Sequence, residues 1–281
     1  MVLKIGWFST GRDAAARNLL KTIVKKKDEG FFDIEIAFVF SNWEEDEDPT
    51  HPTFEDRRRF CKLVRGFDIP LVCLSWKKFR PDLRLENREK WRSAYGEKMR
   101  ELISPFPFDL GVLAGYMLWM DNESCKIFNL INLHPALPGG PKGTWQQVIW
   151  QLMESRADRQ GAMIHLCTQE WDEGAPLTFC SFSLRTAEYE VLWEQFERKL
   201  ESVTLAEIMR TEGENEPLFA RIRKDGEIRE IPLLAYTLKY FADGKLRIKD
   251  RMIYEKERPL AGAYDLTALV DHAVKTREFE V

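Results

Sequence analysis

Asn132 and His134 stand two residues apart in the run Ile131-Asn132-Leu133-His134-Pro135. In extended backbone such a pair points to one face. Asp172 lies four residues beyond a second apolar run, Met163 to Thr168. An amide, an imidazole and a carboxylate at the ends of two strands can converge at one mouth of a sheet. That set suits proton transfer together with stabilisation of an oxyanion. His165 falls inside the second run and reads as structural. His134, His165 and Asp172 lack metal-ligand spacing and a thiolate shell, so no metal is expected. Gly139-Gly140-Pro141-Lys142-Gly143-Thr144 lacks the order of a phosphate loop. Thr144 reads instead as the cap of a helix ending at Glu154.

The elements that must carry these residues follow from periodicity. Val2 to Phe8 and Ile34 to Phe40 read as strands. Between them Ala15, Ala16, Leu19, Leu20, Ile23 and Val24 recur at helical spacing. This is a βαβ unit, the unit of a parallel sheet. Its first turn, Ser9-Thr10-Gly11-Arg12-Asp13, faces a helix N-terminus, a natural anion site. Read locally, Gly11 is a plain tight turn and Arg12 a solvated charge, and no G-x-G-x-x-G supports a dinucleotide.

Asn42 to Pro52 is expected as an exposed loop, Phe54 to Val64 as a helix and Ile69 to Leu74 as a strand. Lys77 to Glu86 reads as irregular. Asn87 to Ile103 suits an amphipathic helix with Trp91, Tyr95, Met99 and Ile103 on one face. Phe108 to Ala114 is a strand leading into the apolar Gly115 to Met120, which is either the wall of a flat aromatic ligand or ordinary core. Phe128 to Leu133 then delivers Asn132 and His134.

Pro176 to Ser183 is a further strand and Tyr189 to Met209 is helical. Leu218 to Arg223 and Ile228 to Ile231 read as a hairpin about Asp225-Gly226. Pro232 begins a helix ended by Gly244. Leu246 to Tyr254 reads as a strand and Tyr264 to Val274 as the last helix. The fold class is α/β: an open, mostly parallel twisted sheet, Rossmann-like, with helices on both faces and a C-terminal extension. Residues 1–188 form the core, and residues 189–281 pack on it.

The 281 residues are 44% hydrophobic and 31% charged, which suits a soluble chain with a sizeable core. A net charge of -4 gives no general reason to expect nucleic acid or an anionic membrane. The five cysteines are odd in number and form no Cys-x-x-Cys, so they read as thiols of a reducing cytosol. The N-terminus has no signal-peptide pattern, and no apolar run approaches a membrane span. A cytoplasmic location follows as the expectation.

Asn-x-His-Pro-x-Leu at 132–137, with an Asp-x-Gly at 172–174 after a strand, resembles the folate-dependent formyltransferases. The glycinamide ribonucleotide (GAR) formyltransferases of purine synthesis are the most similar. Val112 to Met117, Gly161 to Leu177, Phe241 to Leu246 and Ser41-Asn42 resemble further blocks of that family, in order and at its spacing. The resemblance implies transfer of a formyl group from 10-formyltetrahydrofolate, a co-substrate, to an amine, with no metal. It implies that protonated His134 and the Asn132 amide stabilise the tetrahedral oxyanion, and that Asp172 holds His134 protonated and orients a water relay.

By the same resemblance Tyr116, Met117, Leu118, Trp119 and Met120 form one wall of the folate pocket. Cys167, Thr168, Gln169 and Glu170 form the other. Gly11, Arg12, Asp13, Gly115, Pro135 and Glu230 surround the acceptor. The first turn departs from the family in carrying Arg12 and Asp13, and Ala136 replaces the family's serine. The implied partners are a small amine and the folate donor. Two other readings stand beside transfer to GAR: another amine, or water in a formyltetrahydrofolate hydrolase. The hydrolases usually carry an N-terminal regulatory domain, whereas here the first strand begins the chain. A binding protein without catalysis is the non-enzyme reading.

Overall fold

The computed structural model describes residues 2–170 and 172–279. The chain opens with β1 (Leu3–Phe8), α1 (Ala14–Asp28), β2 (Ile34–Ser41), α2 (Phe54–Gly66) and β3 (Leu71–Cys73). It continues with α3 (Pro81–Glu86), α4 (Arg88–Ile103), β4 (Leu110–Leu113), α5 (Asn122–Ile127) and β5 (Leu130–His134). Next come α6 (Trp145–Glu154), β6 (Arg159–Leu166), β7 (Pro176–Ser183), α7 (Ala187–Leu200), α8 (Leu205–Thr211) and α9 (Pro217–Ala242). The chain closes with β8 (Leu246–Lys249), β9 (Met252–Glu255), β10 (Arg258–Pro259), β11 (Tyr264–Asp265) and α10 (Thr267–Thr276).

Among the described residues one eight-stranded sheet runs β11-β7-β6-β5-β4-β1-β2-β3, and β8 to β10 form a separate small sheet. The large sheet is mostly parallel; β6 runs antiparallel to both β5 and β7. Strand β1 is central because both its faces are apolar, as a covered parallel strand requires. Ile5 and Trp7 point into one core and Phe8 into the other. The first core takes in Leu233, Leu234 and Val270, so α9 and α10 share it with the sheet. The second holds Phe38, Phe40, Trp91, Tyr95 and Met99. Asp13 caps α1 by accepting from the Ala16 N–H at 2.9 Å, and Lys25 to Lys27 sit at its negative end.

Several elements differ from those expected from sequence. Residues 218–231 are helical, the first half of α9, with no hairpin. Leu218, Phe219 and Ile222 bury one helical face among Trp193, Phe196 and Trp150. Asp225 receives Arg221 from one turn earlier, a helical i,i+4 pair, and the Tyr189 hydroxyl. Tertiary burial of that face outweighs the turn preference of Asp-Gly. Pro232 therefore lies inside the helix instead of starting it.

Residues 246–254 divide into β8 and β9, because Asp250 and Arg251 both adopt positive φ and turn the chain. The loop after β2 is exposed only in part: Glu44, Asp46, Pro49, Thr50 and Pro52 face solvent, while Asn42, Trp43 and Glu47 are buried. Trp43 is buried with the Arg57 guanidinium 3.8 Å above its ring, and Ser75 donates to Glu47. Within 77–86, expected to be irregular, Pro81 starts the short α3. Helix α5, unanticipated, is capped by Asp121. None of the described helices is long and apolar enough to cross a membrane.

Candidate active site

Strand β5 carries Asn132 and His134 at its carboxyl end, and antiparallel pairing sets His165 of β6 directly opposite Asn132. The loop after β6 folds back so that Leu166 N–H bonds Ala175 O at 3.0 Å. Within that loop Asp172 holds a left-handed φ of 54°, a conformation that Asp tolerates better than most residues. Its carboxylate thereby reaches the ends of both strands. Asn132 Nδ2 lies 3.4 Å from Asp172 Oδ1, and His134 Nδ1 lies 3.5 Å from Oδ2. Gly143, just before α6, directs its N–H at Oδ2 from 3.4 Å.

The partners set the protonation pattern. His165 Nδ1 faces Leu166 O at 2.8 Å, so that nitrogen carries the hydrogen. Nε2 is then free to accept from Asn132 Nδ2 at 3.0 Å, which fixes the amide's orientation. His165 is thus part of the constellation, not merely a strand residue. Its type and position were visible, but only the register places it opposite Asn132.

His134 Nε2 lies 3.0 Å from Pro141 O, and its other nitrogen faces Asp172. Both N–H groups of the imidazolium would have acceptors. Burial nevertheless dominates and draws the His134 pKa below its ordinary value, against Asp172 and Pro141 O. A lowered pKa favours the neutral ring at rest; the protonated ring expected from sequence belongs to the stage at which the oxyanion has formed. Burial alone would raise the Asp172 carboxyl, yet its contact with His165, the His134 imidazole and the Gly143 N–H together hold it below the usual carboxylate value.

One cleft gathers these groups with the first turn. Arg12, Asp13, Gly115, Tyr116, Met117, Asn132, His134, Pro135, Asp172 and Glu230 all line it. The first turn is laced to the segment after β4: Thr10 N–H bonds Gly115 O at 3.0 Å, and Met117 N–H bonds Thr10 Oγ1 at 2.8 Å. Gly11, at φ 63°, packs so close to the Phe60 ring that a Cβ would stand 2.6 Å from it. It shapes the turn from behind and is not among the residues lining the cleft. Arg12 lies 3.7 Å from Asp13, whose carboxylate is committed to capping α1.

Glu230 enters from α9, buried, and Arg223 Nη1 donates to it at 2.9 Å. Burial raises the Glu230 pKa and Arg223 opposes the rise. Trp145 and Arg223 also line the cleft. Sequence reasoning missed both, Arg223 because it was assigned to a hairpin.

The expected donor-side segments meet each other beside the cleft. Trp119 Nε1 donates to Gln169 O at 2.9 Å, and Thr168 Oγ1 donates to Glu170 O at 3.0 Å. Arg251 holds Cys167 O at 2.6 Å. Tyr116 and Met120 are buried, with Tyr116 edge-on to Phe8; Leu118 and Cys167 pack against the same core. Of these, Tyr116 and Met117 open directly on the cleft.

Neutral imidazole, oriented amide and ionised carboxylate in one recess can exchange a proton with a nucleophile and stabilise an anionic oxygen.

A family model described as formyl transferase matches residues 14–188. A phosphoribosylglycinamide formyltransferase of Dictyostelium discoideum is 34% identical over 93 residues, covering 30% of this chain and 45% of that protein. One from Saccharomyces cerevisiae is 29% identical over 120 residues, covering 40% and 55%. The chain thus matches about half the length of these curated relatives. Among solved structures, a phosphoribosylglycinamide formyltransferase of Coxiella burnetii superposes with TM-score 0.65 at 18% identity, over 94% of this chain and all of that one. A formyltetrahydrofolate deformylase of Burkholderia mallei reaches 0.60 at 15%, over 93% and 70%. Likeness at these identities extends to the fold alone.

Proposed function

This chain belongs to the formyl transferase family, and on that premise we propose that it transfers the formyl group of 10-formyltetrahydrofolate to the primary amine of GAR. The observation that carries the reading is the convergence of Asn132, His134 and Asp172 in a cleft that also holds the first turn. The acceptor is proposed from the names of the curated relatives and from the cleft's second end, where Arg12 and the N-terminus of α1 suit a phosphate.

In this mechanism the amine lone pair attacks the formyl carbon and the carbonyl electrons collect on oxygen. Neutral His134 takes a proton from the attacking nitrogen. The imidazolium so formed faces Asp172, which stabilises it. The Asn132 amide turns its longer contact, the one to Asp172 at 3.4 Å, toward the oxyanion. A well-placed donor of this kind is worth about 2.7–4 kcal/mol. The carbon–nitrogen bond to the folate then breaks, and the proton passes to the folate nitrogen through His134 or a water held by Asp172. Tyr116 to Met120 and Cys167 to Glu170 are assigned to the donor side.

Turnover of 10-formyltetrahydrofolate, followed as tetrahydrofolate formed with and without GAR, tests the proposal. Turnover that requires GAR supports it. Equal turnover without amine assigns the site to hydrolysis, and GAR-independent turnover stimulated by another amine replaces the acceptor.

A further inference from the structure

Two thiols touch where the segments assigned to the donor side come together. Cys125 sits on α5, the helix that follows Met120, the last residue of the first segment. Cys167 opens the second segment directly after β6. Their sulfurs lie 3.8 Å apart, although the residues are 42 positions apart in the chain. Cys125 is 4% exposed and Cys167 is half-buried. Both pack in the core that also takes in Tyr116, Leu118 and Met120.

Each thiol rides on an anchored segment. Arg100 Nη1 donates to Asp121 Oδ1 at 2.6 Å and to Ser124 Oγ at 2.7 Å, which ties α5 to α4. Cys167 N–H bonds Leu130 O at 2.8 Å, and Arg251 Nη2 donates to Cys167 O at 2.6 Å. The contact is therefore set by the fold and not by the swing of a loose loop. The guanidinium charge beside Cys167 also favours the thiolate that exchange requires.

We propose that Cys125 and Cys167 form a reversible redox pair that ties the bases of the two donor walls together: as thiols they leave the walls as they stand, and as a disulfide they draw them closer. The effect on the donor rests on the reading of Tyr116 to Met120 and Cys167 to Glu170 as its walls; formation of the bond does not. A disulfide needs its sulfurs about 2.05 Å apart, so the 3.8 Å contact must shorten by about 1.8 Å. With both carriers anchored, part of that movement passes to the walls, which meet again where Trp119 Nε1 donates to Gln169 O at 2.9 Å. The pocket between them narrows.

The oxidant is a low-molecular-weight disulfide, RSSR. The half-buried Cys167 attacks one of its sulfurs as thiolate and expels RS⁻. Cys125, already in contact, attacks the Cys167 sulfur of the mixed disulfide as thiolate and expels the second RS⁻. The two thiol protons end on the two RS⁻ groups; the protein pair loses two electrons and RSSR gains them. A reducing compartment keeps the pair open, and a more oxidising one closes it.

The test treats the full chain with oxidised glutathione, alkylates the remaining thiols and maps the cysteine peptides by mass spectrometry. Peptides joined through Cys125 and Cys167, and released by dithiothreitol, are the expected result. The bridged protein should show KM for 10-formyltetrahydrofolate raised about fivefold or more, with kcat and the KM for GAR within about twofold, and dithiothreitol should restore it. Cys125→Ala should match reduced wild type within about twofold and lose the response. Cys125→Ser repeats the test with a residue nearer in size, and the thermal midpoint confirms that each variant is folded. Cys61 and Cys73 make a second thiol contact away from the residues lining the cleft, so Cys61→Ala should keep the response.

Both thiols alkylated after oxidation, or glutathione left on Cys167 with no bridge, overturns the pair. A bridge that leaves the donor KM unchanged overturns its hold on the walls. A bridge in wild type that turns over no 10-formyltetrahydrofolate supports the pair and overturns the formyl-transfer reading instead.

Discussion

Gly174→Ala perturbs the site without touching a reacting group. A Cβ at Gly174 would stand 1.6 Å from the carbonyl oxygen of Leu166 and 2.6 Å from its carbon. Both belong to backbone at the end of β6 and cannot swing aside. The first contact must open from 1.6 Å to at least 3.0 Å, so the loop carrying Asp172 has to lift from the strand. Asp172 reaches Gly143 and Asn132 at 3.4 Å and His134 at 3.5 Å. A further shift of about 1 Å takes all three beyond hydrogen-bond range.

Misplacement of that size costs on the order of 100-fold in rate, or about 2.7 kcal/mol of barrier. Stability falls by about 1–3 kcal/mol through the strained contact and the weakened Leu166–Ala175 bond. Steady-state kinetics should show kcat down about 100-fold, and a folate analogue should bind more weakly in calorimetry but still bind, because Cys167 to Glu170 ride on the lifted loop whereas Tyr116 and Met117 lie on a different segment. A folded Gly174→Ala protein with kcat within about threefold of wild type would refute the requirement for Asp172 in its observed place.

Three further outcomes follow. Gly226→Ala should stabilise the protein by about 0.5–1 kcal/mol in urea titration, since Gly226 lies within α9 and an added Cβ meets nothing within 4 Å; destabilisation would restore the hairpin. His134→Asn should lower kcat by about 100- to 10,000-fold with KM for either substrate little changed, whereas a large rise in KM alone would make His134 a binding residue. The urea midpoint of His134→Asn should also depend less on pH than that of wild type, for the reason that follows.

The pH dependence of stability has a definite sign. The folded His134 pKa lies below the unfolded value, so the unfolded chain binds more protons and stability drains away as pH falls below about 6.5. Asp172, also depressed, adds a second loss as pH falls through its own lower folded value. The urea midpoint measured from about pH 7.5 to about pH 5 should therefore decline less steeply in His134→Asn than in wild type; equal slopes would contradict the burial of His134 as neutral imidazole.

The sheet was legible because β1, β2 and β4 are short, largely apolar runs that leave no rival period, and β5 sets Ile131 and Leu133 opposite the face of its polar pair. The i,i+2 spacing of Asn132 and His134 and the Asp-x-Gly at 172–174 placed the site's chemistry at the strand ends. Helix α9 was not legible: Asp225-Gly226 and Pro232 mark turns locally, and only burial of Leu218, Phe219 and Ile222 against α7 shows that they lie inside a helix. Arg223 was lost with it. His165 was visible as a residue, but its pairing with Asn132 depends on an antiparallel register that periodicity does not encode. The resting charge of His134 depends on burial, which emerges only when β5, β6 and the Pro141 loop close around it.

On the proposed mechanism the formyl carbon passes to an amine under control of Asn132, His134 and Asp172. A single turnover with 10-formyltetrahydrofolate labelled in the formyl carbon, quenched in the presence of GAR, reads that fate directly. Wild type should place the label in formyl-GAR, and His134→Asn should leave it on the folate. Label released as formate by wild type in the presence of GAR would contradict it.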